Sequence, residues 1–304
     1  MIRAGRRRAG ALAGAISIVL AGCLTDAPLP TPRPTPTATP EATPTVTTYR
    51  LDRSVWYGGF VMTFATATAT LDAKGGPVVV EAVIGNPGDD DATMDGPVVL
   101  VAGALTLEST RESIRPLVPA HDVAEATFVF DVAPAFDLAA AEIRVGRGAE
   151  HQAIVPLATA FTSTVDLRPQ AHDLEVEGQA GSLLVQLHGA ELRADLPDWR
   201  LELDAGVLAL TLTYDATYRG AFSGGFPFTA ANVGLRLPDG TVLEPRRDGH
   251  SQSVLVLQPG ARTVGLRSRF EIPAPGLGPY VLVIRDGAAT ADLPFEIPPA
   301  APPA

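Results

Sequence analysis

Cys23 is the only cysteine in this 304-residue sequence, so one thiol carries all the sulfur nucleophilicity the chain has. It ends the run Leu20-Ala21-Gly22-Cys23. A lone cysteine also rules out an intrachain disulfide, and stability must come from packed apolar cores. The other reactive side chains are scattered. Histidines stand at 121, 151, 172, 188 and 250, with no two at metal-ligand spacing. His121-Asp122 and His172-Asp173 are adjacent pairs of the kind found in solvated turns. A triad needs a serine beside a histidine that a carboxylate orients. The nearest string, Ala221-Phe222-Ser223-Gly224-Gly225, lacks the first glycine of a nucleophile elbow and its strand-then-helix setting, which leaves Ser223 a flexible-loop serine. There is no phosphate loop or dinucleotide fingerprint.

Two loops could bind rather than react. Asp89-Asp90-Asp91 with Asp95-Gly96 supplies hard oxygens between two strands, and Asp89, Asp91 and Asp95 are the candidate Ca²⁺ ligands. The twelfth position counted from Asp91 is Ala102, so the EF-hand spacing fails, and a solvated acidic turn is the other reading. The segment from Tyr214 to Phe228 holds Tyr214, Tyr218, Phe222, Phe226 and Phe228 among glycines. Rigid aromatic area on a loop suits an envelope protein or a glycan as partner, whereas alternate members could instead plug a core.

The segment ahead of Cys23 addresses the chain. Arg3, Arg6, Arg7 and Arg8 precede an apolar run from Ala9 to Leu20. About a dozen apolar residues cannot span a hydrocarbon core of roughly 30 Å, so the run predicts an export signal over residues 1–22. The stretch Leu20-Ala21-Gly22-Cys23 resembles the lipobox of bacterial lipoproteins. That resemblance implies diacylation of the Cys23 thiol and a mature protein starting at Cys23, lipid-anchored to the cell membrane and facing the extracytoplasmic side. An ordinary signal with an incidental cysteine is the alternative. Leu24 supplies no aspartate retention signal, so the anchor could sit in either membrane of a two-membrane cell.

Net charge narrows the partners. The formal charge is −11, and loss of the four signal arginines brings the mature chain near −15. Nucleic acids and anionic headgroups are bound by lysine and arginine clusters, which this acidic chain lacks, so nucleic acid is excluded as an expected partner. Residues 23–48 change character, with Pro28, Pro30, Pro32, Pro34, Pro36, Pro40 and Pro44 set among threonines. Alternating prolines favour extended polyproline II, so this is a disordered stalk, with or without O-linked sugars on its threonines.

The remainder is strand-like. Short runs rich in Val, Leu, Ile, Thr and Phe recur between Gly, Pro, Asp and Asn turns, for example Phe60–Leu71, Pro77–Gly85, Val98–Leu107, Val207–Tyr214 and Val264–Ile272. Phe136–Ile143 alone has real helical propensity, and it could be a single turn before a strand. The two halves match each other: at an offset of 140, Phe130 falls on Phe270, Val132 on Ile272 and Val155 on Phe295. One residue later Ile143 meets Ile284, and Val78–Val83 matches Val207–Leu212 at a shorter offset. The prediction is all-β: two tandem antiparallel β-sandwiches over residues 49–158 and 181–298, an inter-domain segment at 159–180 and a disordered tail at 299–304. A single large barrel or jelly roll is the alternative.

The order Trp56, Gly59-Phe60, Val78–Asn86, Leu117-Val118-Pro119 and Phe128–Pro134 resembles the immunoglobulin-like modules of bacterial surface lipoproteins, including the immunoprotective extracellular type. The resemblance covers 51–157 and, more faintly, 181–297. It implies tandem immunoglobulin-like domains in a non-enzymatic binding, adhesion or structural role, with no cofactor beyond the lipid on Cys23. The alternative is an accessory, substrate-capturing subunit of a transporter or surface enzyme complex. The sequence is silent on oligomeric state.

Overall fold

The computed structural model describes residues 43–158, 163–247, 251 and 254–299. Cys23, the export signal, most of the stalk and His250 lie outside them, and the described residues fall in one compact unit. That unit is nearly all β. Its described helical pieces are three single 3₁₀ turns, and no described helix is long and apolar enough to cross a membrane.

Ten strands make the first half: β1 (Thr45–Tyr57), β2 (Phe60–Leu71), β3 (Gly76–Asn86), β4 (Ala92–Thr93), β5 (Val98–Ala102), β6 (Leu105–Glu108), β7 (Leu117–Val118), β8 (Asp122–Val132), β9 (Glu142–Val145) and β10 (Ala153–Pro156). They pair as β1-β2-β3-β8 and β10-β9-β5-β6, with a small β4-β7 ribbon. The second half has β11 (Gln170–Ala180), β12 (Leu183–Arg193), β13 (Asp195–Leu196), β14 (Leu201–Glu202), β15 (Val207–Tyr218), β16 (Phe226–Thr229), β17 (Val233–Arg236), β18 (Val242–Leu243), β19 (Val254–Leu257), β20 (Arg262–Pro273), β21 (Gly278–Asp286) and β22 (Ala289–Ile297). Its sheets are β11-β12-β15-β20 and β18-β17-β21-β22, with two-stranded β16-β19 and β13-β14. The described pairings between these strands are antiparallel. In both halves the chain crosses from one sheet to the other, returns and crosses again, and each pair of sheets encloses its own apolar core.

Alternation of period two sets the inward faces. On β3, Val78, Val80, Ala82 and Ile84 are buried; on β8, Ala126, Phe128, Phe130 and Val132 face them. β2 changes phase partway, burying Phe60, Met62 and Phe64 and then Ala67 and Ala69, because a bulge against β3 sits between Phe64 and Thr66. An inserted residue turns the following side chains to the other face. β12 does the same at Leu187 and Gly189, and the β1/β2 bulge at Arg50/Arg53 recurs in β11/β12 at Asp173/Val176.

Several expectations need correction. The β3-to-β15 match is three residues out: Val78 pairs with Phe130 and Leu210 with Phe270, so Val78 corresponds to Leu210 and Ala82 to Tyr214. A slip of three would exchange the two faces, which burial forbids. Ile143 cannot match Ile284 while Val155 matches Phe295, since Val155 pairs with Ile143 but Phe295 with Tyr280. Val98–Leu107 is a hairpin, turned at Gly103 with φ 58°. The expected single turn before a strand does hold for Phe136–Ile143: one 3₁₀ turn, capped by Asp137 and ended by the extended Ala141, is followed by β9. Among the described residues regular structure begins at Thr45, inside the expected stalk, and β11 fills much of the expected inter-domain segment.

Candidate functional site

The loop candidates come apart when their elements are in place. Two-stranded pairing of β4 with β7 interrupts the acidic run: Asp89 turns to His121 at 3.0 Å, Asp91 accepts the Ala120 N–H at 3.0 Å, and Asp95 lies beyond the strand. The three aspartates therefore do not share a Ca²⁺ position, and among the described residues no group of three or more His, Cys, Asp or Glu side chains gathers to hold a metal. His151, His172 and His188 stand on separate elements, with His188 paired to Asp215 at 3.1 Å and His172 Nε2 buried without a partner. Ser223 is on an exposed turn.

The aromatic segment takes the core-plugging one of its two readings and does not form a five-residue binding surface. Tyr214 and Phe228 are fully buried 6.2 Å apart, Tyr218 stacks on the half-buried Phe226 at 5.6 Å, and only Phe222, 68% exposed, faces solvent. Strand alternation carries Tyr214 and Tyr218 into the core. Gly220 is needed here, since a Cβ at that position would stand 2.2 Å from the Tyr218 ring.

The structure instead brings chemistry-bearing residues together where the two halves meet. In the first half β2 and β3 are joined by residues 72–75; at the equivalent position in the second half residues 194–206 form the β13-β14 hairpin around the 3₁₀ turn Pro197–Trp199. That inserted hairpin lies against the β1-β2 turn. Gly58 and Gly59 take φ of 55° and 86° there, which side-chain-bearing residues adopt reluctantly. The Gly58 N–H donates to Glu202 Oε2 at 3.0 Å, and the Trp56 indole N–H donates to Asp195 Oδ2 at 2.7 Å. Arg193 covers the Trp56 ring at 5.3 Å and donates to Asp195 and Glu191. Leu196, Leu203 and Ala209 form a small core beneath the hairpin.

Backbone pairing extends the contact. Ala205 N–H donates to the Ala149 carbonyl at 2.9 Å and His151 N–H to the Leu203 carbonyl at 3.1 Å. His151 Nε2 lies 2.7 Å from the Val207 carbonyl, so that nitrogen carries its proton. Arg200 donates to the Asp90 carbonyl at 3.2 Å. Tyr57 OH donates to Glu150 Oε2 at 3.2 Å, while Arg147 pairs with Glu150 at 2.9 Å.

Charge at this junction is unevenly shared. Asp195 is 1% and Glu202 5% exposed, and they are direct cross-strand partners. Asp195 has Arg193 and Trp56 as donors; Glu202 has one backbone N–H, and its Oε1 has no partner. Burial, followed by the neighbouring Asp195 charge, pushes the Glu202 carboxyl up to about 9. Burial pushes the Tyr57 hydroxyl up, and Glu150 adds to the effect. For Glu150 itself burial acts upward, but the hydrogen bonds from Arg147 outweigh it and hold the carboxyl below its usual range.

Beside the hairpin a cleft of about 360 Å³ opens between the halves, with Trp56 and Arg193 in its lining and Asp89, Asp90, Asp198 and Arg200 among its polar groups. Asp89 and Asp90 stood out in the acidic run and Trp56 in the strand order, but no sequence motif announced Arg193, Asp195, Asp198, Arg200 or Glu202. The one available signal was the length difference between the β2-β3 and β12-β15 connections.

No protein-family model matches the chain, and no curated protein matches it. Among solved structures it is similar to the crystal structure of the conserved domain protein from Bacillus anthracis, at 10% identity and a TM-score of 0.25, with 79% of this chain and 80% of that chain covered. A likeness at that level carries no argument about fold or function.

Proposed function

We propose that this is a lipid-anchored cell-envelope protein whose two tandem immunoglobulin-like sandwiches serve a non-enzymatic binding, adhesion or structural role. The carrying observation is the filled junction: an inserted hairpin, hydrogen-bonded from both sides, makes the two sheet pairs suited to act as one stiff presenter. The immunoglobulin-like reading is supported by the crossing pattern, with β2, β3 and β8 adjacent in one sheet and β10-β9-β5-β6 in the other, repeated in the second half. Anchoring at Cys23 rests on the export signal and the lipobox resemblance.

β1 runs from Thr45 toward the junction and β15 from the junction to Tyr218, so the Tyr218 end of β15 is the end of that strand away from the junction. At that end Phe222, Pro227, Val254 and Val256 are exposed, within two stretches, 220–235 and 251–261, that contain no charged residue. On a chain near −15 such an uncharged apolar tip is the natural contact for an envelope protein or glycan.

Labelled palmitate tests the anchor: incorporation should be lost in Cys23→Ala, which should also leave the membrane fraction, and an unchanged fractionation would end the proposal. The cleft at the junction favours a second reading, an accessory subunit that captures substrate for a transporter or surface enzyme complex. Affinity capture from intact cells separates the two. Recovery of transporter or enzyme subunits supports the second reading.

A further inference from the structure

We propose that the junction is a proton-held latch, in which the buried Glu202 carboxyl of the β13-β14 hairpin stays closed on the Gly58 N–H while neutral and releases the first half when it ionises. The geometry carries this. Glu202 is the hairpin side chain that accepts the Gly58 N–H of the β1-β2 turn, and it sits directly across the hairpin from Asp195. Asp195 already accepts from Arg193 and from the Trp56 indole N–H. A second negative charge beside it would have a single backbone donor, with Oε1 unpartnered in a buried site.

The other charged groups around Glu202 do not relieve this. Arg193 on β12 is saturated by Asp195 and Glu191. On the β9-β10 connection Arg147 is paired with Glu150, which adds another negative charge facing the site. His151 is turned to the Val207 carbonyl, and Tyr57 on β1 donates to Glu150. An open junction would return Glu202 to water, where it ionises as an ordinary carboxylate. Opening is therefore coupled to loss of one proton, and closing is favoured by acid.

Hydrogen exchange on the full chain, corrected for intrinsic rates at each pH, reads this directly. Between about pH 5 and about pH 8, protection of the Gly58, His151 and Ala205 amides, whose hydrogen bonds cross the junction, should fall by up to about tenfold per pH unit, the slope of a one-proton opening. Amides of β3 and β8 should keep their protection. Glu202→Gln keeps the acceptor for Gly58 and cannot ionise, so its junction protection should be flat over the same range. Trp56→Phe should weaken junction protection at every pH while keeping the wild-type slope. Junction protection independent of pH in the wild type, an equal decline in Glu202→Gln, or a parallel decline in β3 and β8 would each overturn the latch.

Discussion

Single residues show how one strand order accommodates two different cores. At the offset of 140, Phe128 of β8 corresponds to Ser268 of β20, and across the sheet Ala82 of β3 corresponds to Tyr214 of β15. A large and a small side chain have changed strands. The first core is filled from β8 and the second from β15, and Tyr214 OH meets Ser268 Oγ at 2.8 Å. Burial pushes the Tyr214 hydroxyl up to about 12, so it stays a neutral partner at ordinary pH. Ser268→Ala leaves that hydroxyl buried without its partner and should cost about 1–3 kcal/mol, read as a lower melting temperature. Tyr214→Ala removes the ring as well and should cost about 3–5 kcal/mol. Glu202 makes a pH prediction. Its folded value, about 9, lies above the ordinary 4.5, so its contribution to stability is complete below 4.5 and is lost as pH rises through 9. Thermal melts of Glu202→Gln should accordingly fall less steeply than wild type over that interval, with the variant gaining most at the alkaline end.

Among the elements, the edges of the sheets repay attention because an unpaired strand invites association. The outer edge of β8 is closed by the segment before it: Thr110 N–H donates to the Val129 carbonyl, and Val129 N–H donates to Ser113 Oγ at 2.9 Å. β20 uses the same device, with Arg246 N–H on the Arg269 carbonyl and Arg269 N–H on Ser251 Oγ at 2.9 Å. Ser113→Ala should cost about 1 kcal/mol and speed exchange of the Val129 amide, with little effect on amides of β9. The elements also mark how far local pattern can be read. β3, β8, β15 and β20 alternate strictly enough to be found from sequence. β1 and β11 were not, because they are edge strands with few inward apolar residues and owe their form to hydrogen bonding with β2 and β12. The acidic and aromatic loops were legible as compositions, yet β4 separates the aspartates and the phase of β15 turns two of the aromatics inward.

For the whole molecule, the β13-β14 hairpin is the difference between two linked bodies and one. Replacing residues 194–206 by a short turn like that at residues 72–75 should leave each core intact while uncoupling them. Calorimetry should then resolve two transitions, against one cooperative unfolding expected of the wild type. Removal of the exposed Phe222 side chain, as Phe222→Ser, should change stability by less than about 0.5 kcal/mol, as expected of a surface position, while reducing capture of any partner taken at the tip.

By itself the sequence determined the all-β class, the positions of strands such as β3, β8, β15 and β20, and the echo of β8 in β20, because alternation of apolar side chains and the residues of tight turns are local properties of a chain. It likewise carried the expectation of a thiol anchor, which is written in adjacent residues. Tertiary structure alone decided the junction. Trp56 and Asp195 are 139 residues apart, and Gly58 and Glu202 are 144 apart. Only the crossing of sheets and the placement of one inserted hairpin bring those groups within hydrogen-bonding distance, and burial then changes what their carboxyls can do.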